Sequence, residues 1–437
     1  MSVGGAASQQ MMQVEGGEEQ PAQPLPSTVA VKNDMGRKWL QLTGHQGEVF
    51  MCVWNPVSRQ LASGSADGMC RLWGLTDIDA AKINATTGDN TEIAIRSSIL
   101  AHSQFPCERF KDVTSVTWSP DGQFLATGCY DGMARIWDSQ GNLVKELKEH
   151  SGPVFSLKWN KAGNYILSGS YDRRAIVWDA TTGLPVKSFM LHAAPVLDVD
   201  WKDSDSFATC SSDMCIFICR VSSAGTGAEK TLKGHTDEVN AVCWSPGGAL
   251  LASCSDDSTA KIWSAADGLK LDLVGHTKEI YTVRWTLTGP GSNHPDKPLY
   301  LCTASFDGTV KAWDASTGAV VHNLKRHMQP VYSIAPSPGG LTLATGSLGG
   351  FVCVWNMQDG SLVRFLPSPL PPFSGFFLLL SSSHPTFFSS LAPSPSHAQI
   401  KEMRGNGDTF DVSWSADGSM LCSCFSSGAL HIVTEAP

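Results

Sequence analysis

An aspartate that stands six residues before a tryptophan recurs along this chain, and this spacing constrains the fold more than any other feature. The five clear pairs are Asp67 and Trp73, Asp131 and Trp137, Asp172 and Trp178, Asp257 and Trp263, and Asp307 and Trp313. His45, His150 and His235 each precede the tryptophan of their unit by 28 residues. An active site needs one set of groups, whereas a unit that returns about every 41 residues is a building block. The spacing therefore predicts a repeat architecture.

Weaker copies raise the number of units to eight. One carries Cys219 in place of the tryptophan, one carries Gly349 in place of the aspartate, and the last contains Trp414 followed by Ser427 and Val433. Each unit has the alternating pattern of short strands, with Asp-Gly, Ala-Gly or Pro-Gly turns between them. One four-stranded unit cannot bury both of its faces, but eight units stacked radially can. We therefore predict an all-β, eight-bladed β-propeller, closed by pairing 38–42 with the three C-terminal strands.

The Gly-His and Trp-Asp dipeptides near the unit ends, such as Gly44-His45 and Trp137-Asp138, resemble WD repeats. In that family a His, an Asp, a strand Ser or Thr and a Trp form a hydrogen-bonded brace inside each blade. The resemblance assigns this structural role to His45, Asp67, Trp73, Asp131, Trp137, His150, Asp172, Trp178, His192, Asp213, His235, Asp257, Trp263, His276, Asp307, Trp313, His327 and Trp355. Their return in every unit favours a brace over catalytic His–Asp pairs.

The composition fits a large, non-secreted all-β ring. The net charge of −9 disfavours sequence-specific nucleic acid as a direct partner and mildly favours basic ligands. The 13 cysteines fall mostly within strand patterns and form no CxxC motif, which predicts reduced thiols in a nuclear or cytosolic protein. We find no phosphate-binding loop, zinc-protease, nucleophile-elbow or EF-hand motif. The sequence thus predicts no enzyme, no metal site and no cofactor.

Four segments depart from the repeat. Residues 1–36 are rich in Gly, Gln, Glu and Pro and are predicted to be a disordered leader, before blades 1–7 in 37–364. Residues 77–111 are predicted to be a long surface loop, and 289–297 a turn-rich insertion. In 365–396, 28 of 32 residues are Phe, Leu, Pro or Ser. We interpret 365–400 as an unstructured insertion before the last blade in 401–437, typical of a translated pyrimidine-rich intron or of a proline-rich ligand, and too short in apolar runs for a membrane span.

Two sets of positions define a candidate binding surface, since in WD propellers they open onto the top face around the central channel. The sets lie just before or inside each inner strand and just before each brace aspartate. Together they place carboxylates beside aromatic rings, and the candidate peptide-binding residues are Glu48, Phe50, Asp112, Tyr130, Phe155, Tyr171, Glu238, Asp256, Glu279, Tyr281, Phe306, Tyr332, Asp408 and Phe410. Acidic and aromatic groups at a channel mouth suit a peptide that carries Lys or Arg. The alternative is that the rings pack inward and the acids are simply solvated.

The resemblance narrows to one subfamily. The stretches GPVFSLKWNKAGNYILSGS, SSDMCIFICR and KEIYTVRW, the fourth unit without Trp and the TGPG insertion look like the transducin beta-like 1 family, the WD subunits of nuclear receptor corepressor complexes. The resemblance covers 44–364 and 401–434. It implies a nuclear scaffold whose partners are nuclear receptor corepressor proteins, a histone deacetylase and histone tails, with recruitment of ubiquitin-conjugating machinery.

The family's N-terminal LisH and F-box-like region has no counterpart in this sequence, so corepressor docking and tetramerisation are not implied by the part that matches. The main alternative is a substrate-recognition or adaptor subunit of a ubiquitin ligase. A G-protein-β-like scaffold and a propeller hydrolase are further alternatives, which lack a recognisable helical partner face and a unique catalytic set, respectively.

Overall fold

The computed structural model describes residues 26–34, 37–76, 78, 83, 91–102, 112–264, 267–366 and 407–434. In these residues, 34 strands form eight antiparallel sheets, seven with four strands and one with six. The predicted all-β, eight-bladed propeller is confirmed. Residues 1–25 of the predicted leader and residues 367–400 of the predicted insertion lie outside the described residues. Among those described, no helix has the length and apolar content to cross a membrane.

Blades 1 to 4 follow one another along the chain, each with its strands ordered from the channel outwards. Blade 1 contains β3 (Val49–Trp54), β4 (Gln60–Ser65), β5 (Met69–Gly74) and β7 (Arg96–Ala101). Blade 2 contains β8 (Val113–Trp118), β9 (Phe124–Cys129), β10 (Ala134–Asp138) and β11 (Leu143–Leu147). Blade 3 contains β12 (Val154–Trp159), β13 (Tyr165–Ser170), β14 (Ala175–Asp179) and β15 (Pro185–Phe189). Blade 4 contains β16 (Val196–Trp201), β17 (Ser206–Ser211), β18 (Cys215–Arg220) and β19 (Lys230–Lys233).

Blades 5 to 7 repeat this arrangement, and blade 8 combines strands from both parts of the sequence. Blade 5 contains β20 (Val239–Trp244), β21 (Leu250–Ser255), β22 (Thr259–Ser264) and β23 (Gly268–Val274). Blade 6 contains β24 (Ile280–Trp285), β25 (Tyr300–Ser305), β26 (Thr309–Asp314) and β27 (Val320–Lys325). Blade 7 contains β28 (Val331–Pro336), β29 (Thr342–Ser347), β30 (Phe351–Asn356) and β31 (Leu362–Leu366). Blade 8 contains β32 (Thr409–Trp414), β33 (Met420–Phe425), β34 (Leu430–Thr434), β2 (Arg37–Thr43), β1 (Thr28–Asp34) and β6 (Thr91–Glu92).

The ring closes as the sequence predicted, with β2 beside β34 in blade 8. Leu40, Gln41 and Leu42 pair with Ile432, His431 and Leu430. A closed ring leaves no long sheet edge open to other chains. The leader prediction was wrong for 28–34, because these residues form β1 and pair with β2 along their whole length. The alternation of Val29 and Val31, both buried, gives β1 an apolar face that packs on the ring.

The prediction of a surface loop over 77–111 was also wrong in part. Residues 96–101 form β7, the outer strand of blade 1, and Thr91 and Glu92 form β6 at the edge of blade 8. Ile78 and Ile83 are buried and belong to the same apolar cluster as Val29 and Val31. This segment therefore covers the joint between blades 1 and 8.

Inner-strand tryptophans form a second series, which links neighbouring blades. Trp159 donates its indole N–H to the Thr117 carbonyl of blade 2, and Trp201 donates to the Lys158 carbonyl of blade 3. The same bond recurs across the closing joint, from Trp54 to the Ser413 carbonyl. The ring is thus joined by directional hydrogen bonds as well as by apolar contact.

Candidate functional site

A four-residue brace is complete in blades 1, 3, 5 and 6. In blade 5, His235 Nδ1 lies 2.8 Å from Asp257 Oδ2, and His235 Nε2 lies 2.8 Å from Ser253 Oγ. The Trp263 indole N–H donates to the same Ser253 oxygen at 2.8 Å. Blades 1, 3 and 6 repeat the set with the braces His45–Asp67–Ser63–Trp73, His150–Asp172–Ser168–Trp178 and His276–Asp307–Thr303–Trp313.

The brace has the composition of a catalytic triad but cannot act as one. Ser253 has no exposed surface, so no substrate can reach its hydroxyl. That hydroxyl donates its only proton to the histidine and accepts from the tryptophan, so its donor is already committed within the brace. The aspartate also accepts the backbone N–H of Thr236 at 3.0 Å. The arrangement therefore joins the loop before the inner strand to the middle of the blade.

The electrostatics of the complete braces favour an ionised aspartate, and in blades 1 and 6 they also favour a neutral histidine. Burial alone would raise the pKa of Asp257, but hydrogen bonds from His235, Thr259 and Thr236 hold it well below its usual range. Burial lowers the pKa of His45 and of His276, although the neighbouring aspartate opposes this shift. Each carboxylate thus keeps its charge because several donors converge on it.

Four blades lack a complete brace, and in blade 8 Ser427 and Val433 stand at the Asp and Trp positions. In blade 4, His192 contacts Asp213 and Thr209 while Cys219 replaces the tryptophan, and Phe217 packs on His192 with ring centroids 4.5 Å apart. In blade 7, His327 bonds Thr345, but its Nδ1 atom has no partner among the described residues because Gly349 replaces the aspartate.

Blade 2 departs from the brace that we predicted. Asp131 accepts a hydrogen bond from Arg135 at 2.9 Å rather than from a histidine. His102, which the spacing of 28 missed, lies stacked on Trp137 with centroids 5.8 Å apart, and neither of its ring nitrogens has a hydrogen-bond partner in the part of the chain that the structure describes. Burial lowers the pKa of His102 to about 3 and that of His327 to about 4. A histidine without its aspartate is therefore held neutral mainly by burial, and a neighbouring arginine charge, Arg135 for His102 and Arg326 for His327, acts in the same direction.

The two predicted sets of top-face positions, one at the start of the inner strand and one just before the brace aspartate, lie side by side in every blade. A backbone hydrogen bond joins them each time, for example from the Asp256 N–H to the Glu238 carbonyl at 3.0 Å and from the Phe306 N–H to the Glu279 carbonyl at 3.0 Å. A bulge follows the first residue of the inner strands, as between Ile280 and Thr282. Because the bulged residue has no partner in the ladder, its side chain is re-aimed, and Tyr281 occupies this position.

The aromatic side chains form two clusters. Tyr130, Phe155 and Tyr171 meet edge to face across blades 2 and 3, with centroids 6.2–6.4 Å apart. The larger cluster is a continuous series across blades 6, 7, 8 and 1: Phe306, Tyr281, Tyr332, Phe410 and Phe50. Its closest pair is Tyr281 and Tyr332, stacked with centroids 4.3 Å apart. Phe410 differs from the prediction, because it is only 7% exposed and its ring contacts Phe50 and Tyr332 within the cluster.

The acidic side chains of the top face repel one another. Burial, together with the charges of Asp408 and Asp112, raises the pKa of Glu48. Burial and the charges of Glu238, Asp237 and Glu279 likewise raise the pKa of Asp256, against a hydrogen bond from Asn240. Asp237 was not among the predicted residues. The top face therefore holds two groups of carboxylates, each of which contains a member whose charge its neighbours disfavour.

Charged residues deeper in the channel were missed by sequence reasoning. Lys158, Asp200 and Arg284 occupy the same position in the inner strands of blades 3, 4 and 6. Burial raises the pKa of Asp200 to about 6 and, one layer nearer the top face, that of Asp411 to about 7. Asp411 accepts the Cys52 N–H from the next blade at 3.1 Å, so it also joins blades 8 and 1.

Comparison with known families matches the repeats one by one. The family model described as WD domain, G-beta repeat, matches residues 36–74, 102–138, 141–179, 183–219, 228–264, 269–314 and 318–356. Each of these seven matches ends in the third strand of one of blades 1 to 7, and most of them begin with the outer strand of the preceding blade. The structure adds blade 8.

Curated relatives agree in sequence. The WD40 repeat-containing protein HOS15 of Arabidopsis thaliana is 41% identical over 90% of this chain and 57% of its own length. The F-box-like/WD repeat-containing protein TBL1X of Mus musculus is 44% identical over 68% of this chain and 55% of its own length. The chain thus spans little more than half the length of these relatives.

Solved structures agree in fold. The C-terminal WD40 domain of Sif2 superposes with a TM-score of 0.68 at 22% identity, covering 90% of this chain and 97% of that domain. A computationally designed protein, Ika8, superposes with a TM-score of 0.65 at 19% identity, covering 90% and 98%. With seven matched repeats and eight blades, this chain belongs to the WD-repeat family of β-propeller proteins.

Proposed function

We propose that this protein is a non-catalytic scaffold subunit of a nuclear corepressor and histone deacetylase complex, and that its top face binds basic, histone-like peptide segments. The single observation that carries the peptide site is the juxtaposition of mutually repelling carboxylates with the stacked Tyr281 and Tyr332 rings. A Lys or Arg side chain placed there relieves the repulsion and packs on the exposed part of the Tyr281 ring.

The geometry favours blades 5 and 6 as the centre of this site. Asp256 is half-buried, and Glu238, Glu279 and Asp237 surround it. Tyr281 is 38% exposed, enough to offer its ring to a ligand. A cation here replaces water next to several carboxylates at once, so binding is expected to weaken as salt rises, over a Debye length of about 8–10 Å at ordinary ionic strength.

The membership in a corepressor complex rests on the relatives. Similarity to TBL1X and HOS15 extends through the blades, and the transducin beta-like 1 resemblance implies nuclear corepressor and deacetylase partners. The matches cover little more than half of each relative's length, and the corepressor and deacetylase partners are proposed from this shared part. Co-purification from nuclear extract tests it, with corepressor and deacetylase peptides as the expected result.

A substrate-recognition or adaptor role in a ubiquitin ligase is the second candidate. The TBL1X relatives are F-box-like/WD repeat-containing proteins, which favours a link to ubiquitin transfer. Recovery of cullin-type ligase subunits, without corepressor or deacetylase, would support this role against the first.

The peptide site is tested by reversing two charges. Glu238→Lys with Glu279→Lys should weaken binding of a fluorescein-labelled, Lys- and Arg-rich histone-tail peptide at least tenfold at low salt, measured by fluorescence polarisation. Glu279 is exposed, and Glu238 is half-buried and accepts a hydrogen bond from Ser212 at 3.0 Å. The melting temperature should therefore fall only slightly, because charges near the surface contribute little to folding. Tyr281→Ala should also weaken binding.

The matched control makes the same change in net charge at the opposite end of the ring. Asp296 and Asp359 are exposed in the connections β24–β25 and β30–β31, which lie away from the top face. Asp296→Lys with Asp359→Lys should leave the affinity unchanged. If both double variants bind alike, the peptide does not use the top face.

A further inference from the structure

A strained turn recurs in three neighbouring blades on the top face. In all eight blades the residue after the brace aspartate, or its equivalent, has a positive φ and donates its N–H three residues back, as Gly308 donates to the Ser305 carbonyl at 3.2 Å. Five blades place glycine there. Blades 3, 4 and 5 instead place Arg173, Met214 and Ser258, with φ of 70°, 65° and 66°.

The backbone of these turns does not require the larger residues. Arg173 donates to the Ser170 carbonyl at 3.1 Å, as glycine does in the other blades. A side chain in the left-handed region costs conformational energy that glycine avoids, and such strain is retained where the side chain is used. The strain therefore indicates that the Arg173 side chain itself has a role.

Arg173 lines a cavity of about 870 Å³ on top of blade 3. The other walls include Tyr171, Met190 and Pro195, the last in the connection that enters blade 4. Tyr171 is 56% exposed and Met190 is 65% exposed, an unusual amount of apolar surface at one opening. An edge-to-face contact with Phe155, with centroids 6.2 Å apart, fixes the Tyr171 ring in place. The cavity thus offers one large apolar wall that is already ordered.

The charge of this cavity is opposite to that of the channel mouth. Asp172 is saturated by His150, the Ser151 N–H and Arg174, so it offers no free carboxylate. Arg173 is exposed and forms no ion pair with any residue that the structure describes. The acidic column is also interrupted here, because Pro153 and Pro195 stand where blades 5 and 6 carry Glu238 and Glu279.

We infer that the cavity on blade 3 is a second docking site, separate from the acidic mouth, for an extended partner segment that carries a carboxylate near a large apolar side chain. The carboxylate pairs with the Arg173 guanidinium, which suits a planar, two-point hydrogen bond. The apolar side chain covers Tyr171 and Met190. The top face then recognises two segments of opposite charge at two places.

The experiment selects ligands without assuming a partner. A random 12-residue phage-displayed peptide library is panned on the full chain, and fluorescein-labelled copies of the enriched peptides are titrated. We expect Asp or Glu within three residues of Leu, Met or Phe, and affinity for the parent at least tenfold higher than for Arg173→Gly. The same substitution should raise the melting temperature by about 1–2 °C, because it removes the strain. Opposite effects on binding and stability are the signature of a side chain kept for a ligand.

Two further variants separate strain from contact. Ser258→Gly relieves the same strain two blades away and should raise the melting temperature without weakening the peptides. Arg173→Ala keeps the strain, removes the guanidinium, and should weaken binding without raising the melting temperature. The inference is overturned if no acidic–apolar motif is enriched, or if the enriched peptides bind Arg173→Gly as tightly as the parent.

Discussion

Blades 5 and 7 have the same four strands, yet they treat their histidine in different ways. In blade 5, His235 is held on one side by Asp257 and on the other by Ser253. In blade 7, His327 keeps only its bond to Thr345 among the described residues, and burial lowers its pKa to about 4. The blade therefore tolerates the loss of the aspartate as long as the histidine stays neutral. The aspartate therefore bonds the connecting loop to the blade, and the four strands form without it.

Blade 4 shows that the tryptophan can be exchanged as well, when its volume is supplied elsewhere. Cys219 pairs in register with Phe207, where blade 5 pairs Trp263 with Leu251. Phe207 and Phe189 contact each other with centroids 5.2 Å apart in the apolar cluster that contains Cys219, and Phe217 packs on His192, whose counterpart contacts the tryptophan in the complete braces. Packing density, rather than the identity of one residue, is what the blade maintains.

The largest effect is expected from breaking a complete brace. Asp257→Ala should lower the free energy of unfolding by about 1–3 kcal/mol, because the His235 ring and the Thr236 and Thr259 N–H groups lose their acceptor. The control is Asp256→Ala, which removes the neighbouring carboxylate. Asp256 is also half-buried and accepts a hydrogen bond from Asn240, but it lies outside the brace. Denaturant unfolding at pH 7 measures both. Equal losses would contradict the assignment of the brace to Asp257.

A smaller, opposite effect is expected from completing blade 7. Gly349→Asp should raise the free energy of unfolding by about 1 kcal/mol, because it offers the unpartnered His327 Nδ1 an ionised acceptor. A Cβ atom at Gly349 meets Gln329 Cγ at 3.0 Å and the Phe351 ring at 3.3 Å, and the exposed Gln329 side chain has room to shift. Gly349→Ala introduces the same crowding without a carboxylate and should bring no gain. If the Gly349→Asp and Gly349→Ala variants had the same melting temperature, His327 would not be bonded to the introduced carboxylate.

The smallest effect concerns acid. His327 has a pKa of about 4 in the folded protein and an ordinary value of 6.5 in the unfolded chain, so the unfolded chain binds more protons between these values. Its contribution to stability is present above pH 6.5 and is lost as pH falls, by about 1 kcal/mol between pH 7.5 and 6. Gly349→Asp should raise the folded pKa and reduce this loss. If denaturation curves at the two pH values shift equally in both proteins, His327 is not the titrating group.

The repeat spacing predicted the blades, the closing strand and most braces, since each follows from residues that recur at fixed distances. It missed β1 because the polar composition before Thr28 masked the short alternation of Val29 and Val31. It missed His102, which stands 35 residues before Trp137. It also missed the channel charges Lys158, Asp200 and Arg284, because the inner-strand register and bulge decide which side chains face the channel axis and neither can be read from a single sequence.

The closing blade has a consequence for the order in which the protein is made. Strand β2 leaves the ribosome early, paired on one side with β1, while its other neighbour, β34, comes from the far end of the chain. At about 5–20 residues per second, the open side of β2 waits on the order of tens of seconds for its partner. During synthesis the nascent propeller therefore remains an open arc until β34 pairs with β2. Pairing between strands so far apart in the sequence is a slow folding step.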